Sequence, residues 1–265
     1  MLVNSPRQAV RPKDKGKYID FAISGAGQRY NTSVNPKTTD TGSFKHQIRH
    51  FTDLQSNRQT NNDLFIYHDI GGNDLLQIVY AISFGNFTNN ELTKYIDKEI
   101  NEYIKATIEN LKTLYNYGMR NLIIIIGNDL VKDVPMYIKF AKKLTYPNDP
   151  LNFIQIHILD KMVSLLVQEL DKFNINNKEL KSDILFTKDY MDIIRTEYNN
   201  TIIDPITNTY NTLAGFGYPH KPNWPITEQK PTNSPQNIIY IDDIHYTEHT
   251  NQLIATLLLN YIKKR

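Results

Sequence analysis

Three short segments of this 265-residue chain carry residue types that together could run acyl transfer. In Phe21-Ala22-Ile23-Ser24-Gly25-Ala26-Gly27 a glycine comes directly after an apolar run. With no side chain, Gly25 lets the backbone approach a substrate and aim its N–H outward. Such an N–H stabilises a developing oxyanion by a few kcal/mol. The same residues would also make an ordinary strand-ending turn. In His68-Asp69-Ile70-Gly71-Gly72-Asn73-Asp74 an asparagine follows two glycines, and its side-chain amide could donate a second bond to the same oxyanion. Asn73 would equally serve as the N-cap of a following helix. In Ile241-Asp242-Asp243-Ile244-His245-Tyr246-Thr247 a carboxylate precedes an imidazole by three residues. Asp242 could fix the tautomer of His245 and stabilise its cation, leaving the other ring nitrogen as general base. A surface acidic turn with an incidental histidine has the same composition.

The elements that must position these groups can be read from periodicity. Tyr18–Ser24 reads as a strand entering a tight turn, followed by an Asn-, Thr- and Pro-rich loop over 28–42. From Ser43, a good N-cap, Phe44, Ile48, Phe51 and Leu54 recur at helical spacing. Leu64–Ile70 reads as a strand stopped by Gly71-Gly72. A long helix is expected over 90–117, with Gly118 as its C-terminal stop. Leu122–Ile126 is a continuous aliphatic run of the kind buried on both faces of a parallel sheet. A helix over 151–173, a strand over 184–187, a short extended piece over 237–241 and a closing helix over 247–262 complete the reading. This alternation predicts a single α/β domain spanning 1–265, with a parallel sheet, an irregular segment over 1–16 and a long loop over 199–236.

Composition narrows the classes. Hydrophobic residues make up 40% and charged residues 22%, which suits a packed globular core. A net charge of +2 is too weak to argue for attraction to nucleic acid or to a membrane, so no nucleic-acid partner is expected. No cysteine is present, which excludes disulfides and thiolate catalysis. The histidines do not fall at metal-ligand spacing, so no metal is expected. No apolar signal-peptide core is visible near the N-terminus, and no uninterrupted run of about 18 apolar residues predicts a transmembrane helix.

The order strand–Gly25, then Gly71-Gly72-Asn73-Asp74, then a late Asp242-x-x-His245 ahead of the last helix resembles the GDSL/SGNH hydrolases over about residues 17–262. Ile123–Pro135 is similar to that family's strand-plus-proline segment. Ile239–Ala255 is similar to its C-terminal block, with Tyr246 where a proline is usual. The resemblance implies a three-layer α/β/α, flavodoxin-like SGNH fold. It implies ester hydrolysis through an acyl-enzyme, without metal or organic cofactor, on a small-molecule, lipid or carbohydrate ester. Gly25 and Asn73 would supply the oxyanion hole, His245 the base and Asp242 its orienting partner.

The chain departs from the family pattern at the nucleophile. The family's first strand ends in Gly-Asp-Ser, and none of the 24 residues ahead of Gly25 reads so. Ser5 and Ser24 are the serines there. Ser5 lacks a preceding apolar strand, whereas Ala22-Ile23-Ser24-Gly25-Ala26 loosely resembles the nucleophile elbow of α/β-hydrolases. Three accounts fit the departure. The chain is a shortened form of a longer enzyme, or an inactive relative serving as a binding or structural protein, or residues 1–10 fill the first strand's place.

Overall fold

The computed structural model describes residues 27–29, 43–54, 64–144, 147–197, 246 and 248–265. The expected strand over 18–24, the loop over 199–236 and the extended piece over 237–241 lie outside these residues, as do residues 1–16. In chain order the described elements are α1 (Phe44–Leu54), β1 (Leu64–Ile70), α2 (Gly72–Phe84), α3 (Asn89–Asn116) and β2 (Asn121–Ile126). A 3-10 turn (Val131–Asp133), α4 (Pro135–Ala141) and α5 (Pro150–Phe153) come next, then a π-helical stretch (Ile154–Asp160) and α6 (Lys161–Asn176). β3 (Lys181–Phe186), α7 (Thr187–Glu197) and α8 (Glu248–Lys264) close the order.

Among the described residues the sheet has three strands in the order β1-β2-β3. β1 and β2 run parallel, with Leu64 opposite Asn121 and Tyr67 opposite Ile124. Between Tyr67 and Ile70 the register slips, so β1 carries one residue more than its partner before the turn at Gly71. Such a bulge bends a strand and re-aims the residues beyond it. The two strands face different environments. Leu122–Ile126 is fully buried, as an unbroken aliphatic run demands, whereas Leu64 and Ile66 on β1 are partly exposed.

Helix ends obey local chemistry. Ser43 caps α1, its Oγ accepting the His46 N–H at 3.2 Å. Thr88 and Glu91 form a reciprocal capping box at the start of α3. At the other end of α3, Gly118 takes φ 110°, its N–H donating to the Tyr115 carbonyl while the Met119 N–H donates to that of Leu114. That paired arrangement needs a left-handed residue, which explains the glycine. β3 begins three residues earlier than the apolar pattern suggests, because Lys181 N–H pairs with the Arg120 carbonyl. Backbone pairing rather than side-chain polarity sets that boundary.

By residue contacts the chain groups into two compact units. One comprises the described residues of Val3–Asn128 and Ile156–Leu185. Its core joins the aliphatic run of β2 to Ile96, Ile100, Ile104, Leu111 and Leu114 of α3 and to Met162, Leu166 and Leu170 of α6. Burying each such side chain stabilises by about 1.5–3 kcal/mol. The other comprises the described residues of Asp129–Gln155 and Phe186–Arg265. There Val131, Val134, Met136, Tyr137 and Phe140 are buried around the 3-10 turn and α4, and α7 packs on α8. The Gln155 side chain accepts the Val131 N–H at 2.9 Å, tying the 3-10 turn to its own unit.

α5, the π-helical stretch and α6 are continuous as Pro150–Asn176, a 27-residue helix whose most apolar window has a mean hydropathy of 1.2. By length and composition alone it is long and apolar enough to cross a membrane, although polar residues interrupt its apolar runs. Its Met162, Leu166 and Leu170 are buried, and α6 packs on α3.

Candidate functional site

The corner between β1 and α2 is the best-defined part of the expected site. Gly71 takes φ 103° and stands at the N-cap position of α2. A Cβ there would sit 2.9 Å from the Tyr103 hydroxyl and 3.1 Å from the Met162 methyl. Both the left-handed backbone and the lack of room select glycine. Gly72, Asn73 and Asp74 then form the first turn of α2. Asn73 is therefore inside the helix, and the alternative in which it caps the helix is not how α2 begins. Its side chain is half-buried at the carboxyl end of a parallel strand. That edge is where open α/β sheets bind their ligands.

Asp74 is 3% exposed and is the only buried carboxylate among the described residues. It accepts the backbone N–H of Gln28 through both oxygens, at 3.0 and 3.2 Å. Burial pushes its carboxyl up to about 7, against the opposing pull of the Gln28 N–H and the Arg29 charge. Gln28 is fully buried, and its backbone and side-chain oxygen are both engaged. Its side-chain oxygen accepts from the Tyr67 hydroxyl and from Asn110 Nδ2 at 3.1 Å. Asn110 Nδ2 also lies 3.4 Å from the Gln28 carbonyl and 3.3 Å from the Tyr67 hydroxyl oxygen. Burial drives the Tyr67 hydroxyl far above its ordinary value, so it stays a neutral donor. Arg29 pairs with Glu99 at 2.6 Å and with Glu102 on α3. The Gly27 carbonyl accepts the Phe44 N–H of α1 at 3.0 Å. Residues 27–29 are thus fastened to α1, β1, α2 and α3 at once.

A second contact adjoins the expected base. The Tyr246 hydroxyl donates to the Asp129 carboxylate. Asp129 comes after β2 within Gly127-Asn128-Asp129, and Tyr246 immediately succeeds His245 in sequence.

Of the residues expected to carry chemistry, Asn73 is described. Gly25, Asp242, His245, Ser5 and Ser24 lie outside the described residues, so no distance joins them to Asn73. Motif spacing does not reveal Gln28, Tyr67 and Asn110, which lie far apart in sequence. Asp74 stands inside the Gly71–Asp74 motif, and its place beside an oxyanion candidate is the one signal that could have found it. A surface groove of about 410 Å³ along α3 and α6, lined by residues such as Lys105, Glu109 and Glu169, includes none of the Gly71–Asp74 corner.

A family model described as GDSL-like Lipase/Acylhydrolase matches residues 5–258. A comparison with curated proteins finds no match.

Proposed function

The chain belongs to the GDSL-like lipase/acylhydrolase family, an SGNH-type α/β hydrolase family, and from that premise we propose that it hydrolyses carboxylic esters through an acyl-enzyme. The observation that carries the reading is the ordered set Gly25, Asn73, Asp242 and His245 within the matched span. Support also comes from Asn73, half-buried in the first turn of a helix that is reached from a parallel strand through a bulge and a left-handed glycine.

In this reading the domain spans 1–265 and its groups act in sequence. Asp242 accepts a hydrogen bond from one ring N–H of His245 and stabilises the imidazolium as it forms. His245 takes the proton of a serine hydroxyl while the serine oxygen bonds to the ester carbon. The carbonyl oxygen gains the negative charge, which the Gly25 N–H and the Asn73 amide receive. The tetrahedral adduct collapses, the carbon–oxygen bond to the alcohol breaks, and His245 returns the proton to the leaving alkoxide. Water, deprotonated by His245, then releases the acid and regenerates the serine. Ser24 and Ser5 are the serines ahead of the Gly25 turn.

Turnover of short p-nitrophenyl esters by the purified chain, together with fluorophosphonate labelling of one serine mapped by mass spectrometry, is the expected outcome. The absence of both turnover and label would exclude the enzyme. The second reading, a non-catalytic binding or structural protein on the same scaffold, is motivated by the missing Gly-Asp-Ser sequence ahead of Gly25. A labelled serine rejects that second reading.

A further inference from the structure

A buried carboxylate without a full ion pair is costly, so its retention calls for a reason. Asp74 has no direct salt bridge among the described residues, and the nearby Arg29 is engaged by Glu99 and Glu102. What Asp74 holds is a backbone amide, that of Gln28. Gln28 lies three residues after Gly25, and Asp74 is the immediate neighbour of Asn73. One carboxylate is therefore covalently adjacent to one expected oxyanion donor and hydrogen-bonded to the segment that leads from the other. Tyr67 and Asn110 hold the Gln28 side-chain oxygen, and Asn110 also reaches its carbonyl, so the amide has little freedom to leave Asp74.

We propose that Asp74 is a positioning residue whose carboxylate fixes the Gln28 backbone against the first turn of α2, and through Gln28 anchors the chain from which Gly25 would serve as the second oxyanion donor. The clamp itself is a property of the folded chain. Its benefit to catalysis rests on the ester-hydrolase reading. A misplacement of about 1 Å in such a donor can cost on the order of 10²-fold in rate.

Amide NMR of the full-length chain tests the clamp without any substrate. The charged and titratable groups facing Asp74 are Arg29, Glu99 and Tyr67. Arg29 and Tyr67 do not change charge near neutrality, and Glu99 is held by Arg29. The Gln28 amide of the wild type should titrate with a midpoint near the value of about 7 set by burial, and the Gly25 and Gly27 amides should move with it. Asp74→Asn should abolish that titration and displace the Gly25 and Gly27 signals. A Gln28 amide that does not respond between about pH 5 and about pH 9 overturns the clamp. So do Gly25 and Gly27 signals left unchanged by Asp74→Asn.

Kinetics test the consequence. Asp74→Asn, which keeps an acceptor oxygen, should lower kcat on p-nitrophenyl esters about tenfold with KM little changed, and Asp74→Ala should lower it further, towards about 10²-fold. An Asp74→Asn protein with wild-type kcat overturns the positioning role. If Asp74→Ala does not fold, the wild-type titration and Asp74→Asn still decide. No turnover by the wild type would sink the hydrolase reading alone, because the amide titration judges the clamp separately.

Discussion

The tripeptide Gly-Asn-Asp occurs twice, each time just past the end of a strand, and the chain treats the two copies differently. Gly72-Asn73-Asp74 enters a helix at once, whereas Gly127-Asn128-Asp129 stays irregular until the 3-10 turn at Val131. The flanking residues account for the difference. Gly71 supplies a left-handed corner before the first copy, and Leu75, Leu76, Ile78 and Val79 give it an apolar face to bury. The second copy runs towards Pro135, which keeps Val134 extended at φ −103° and ψ 112° and delays the helix. The two aspartates diverge accordingly. Asp74 is buried on a backbone N–H, while Asp129 accepts a tyrosine hydroxyl. A tripeptide is thus a vocabulary shared by two sites; its surroundings decide what it does.

The largest test of that contrast is at the glycines. Gly71→Ala combines a left-handed backbone with a close contact to Tyr103, so it should destabilise the fold by about 4 kcal/mol in denaturant unfolding. Gly127 is not among the described glycines at positive φ, and Gly127→Ala should cost no more than about 1 kcal/mol. Equal losses would break the comparison.

Next is pH. The carboxyl of Asp74 sits at about 7 in the folded chain and at an ordinary value when unfolded. Its folded form binds the proton more tightly, so its contribution is fully present below about pH 4 and is lost as pH rises through about 7. On the order of 4 kcal/mol should disappear across that window. Asp74→Asn should flatten this part of the stability–pH profile. A profile unchanged by the substitution would show that the first aspartate is not desolvated as described.

Asn110 sharpens the picture of what surrounds the first copy. Asn110→Ala leaves the Gln28 acceptors and the Tyr67 oxygen without that donor, and should cost about 2 kcal/mol. The smallest effect belongs to the second copy. Tyr246→Phe removes the hydroxyl from a half-buried contact with Asp129, and should cost about 1 kcal/mol in stability. If that contact seats His245, ester turnover should fall by more than the lost stability accounts for.

Much of this framework is legible in the residue order. Leu64–Ile70 and the aliphatic run of β2 announce strands, and the stripe of α3 with Gly118 after it announces a helix and its stop. Ser43 signals the start of α1 for the same local reason. Helices α4 and α7 are not legible, since the first is short and the second carries a mixed polar face. The π-helical stretch at Ile154–Asp160 also escapes, because an apolar stripe does not reveal which carbonyl each N–H selects. At the candidate site, Asn73 and its strand end are local features and can be read. The cluster of Gln28, Tyr67, Asp74 and Asn110 joins four separated segments, and only the folded chain brings its donors and acceptors together.

The burial of Asp74 has a consequence for the heat of folding. Between about pH 5 and about pH 6 the unfolded carboxyl is ionised and the folded one is largely neutral, so the chain takes up close to one proton as it folds. That proton comes from the buffer, and the buffer's own ionisation heat enters the calorimetric signal. The chain's apparent folding enthalpy therefore depends on whether acetate, phosphate or an amine supplies it.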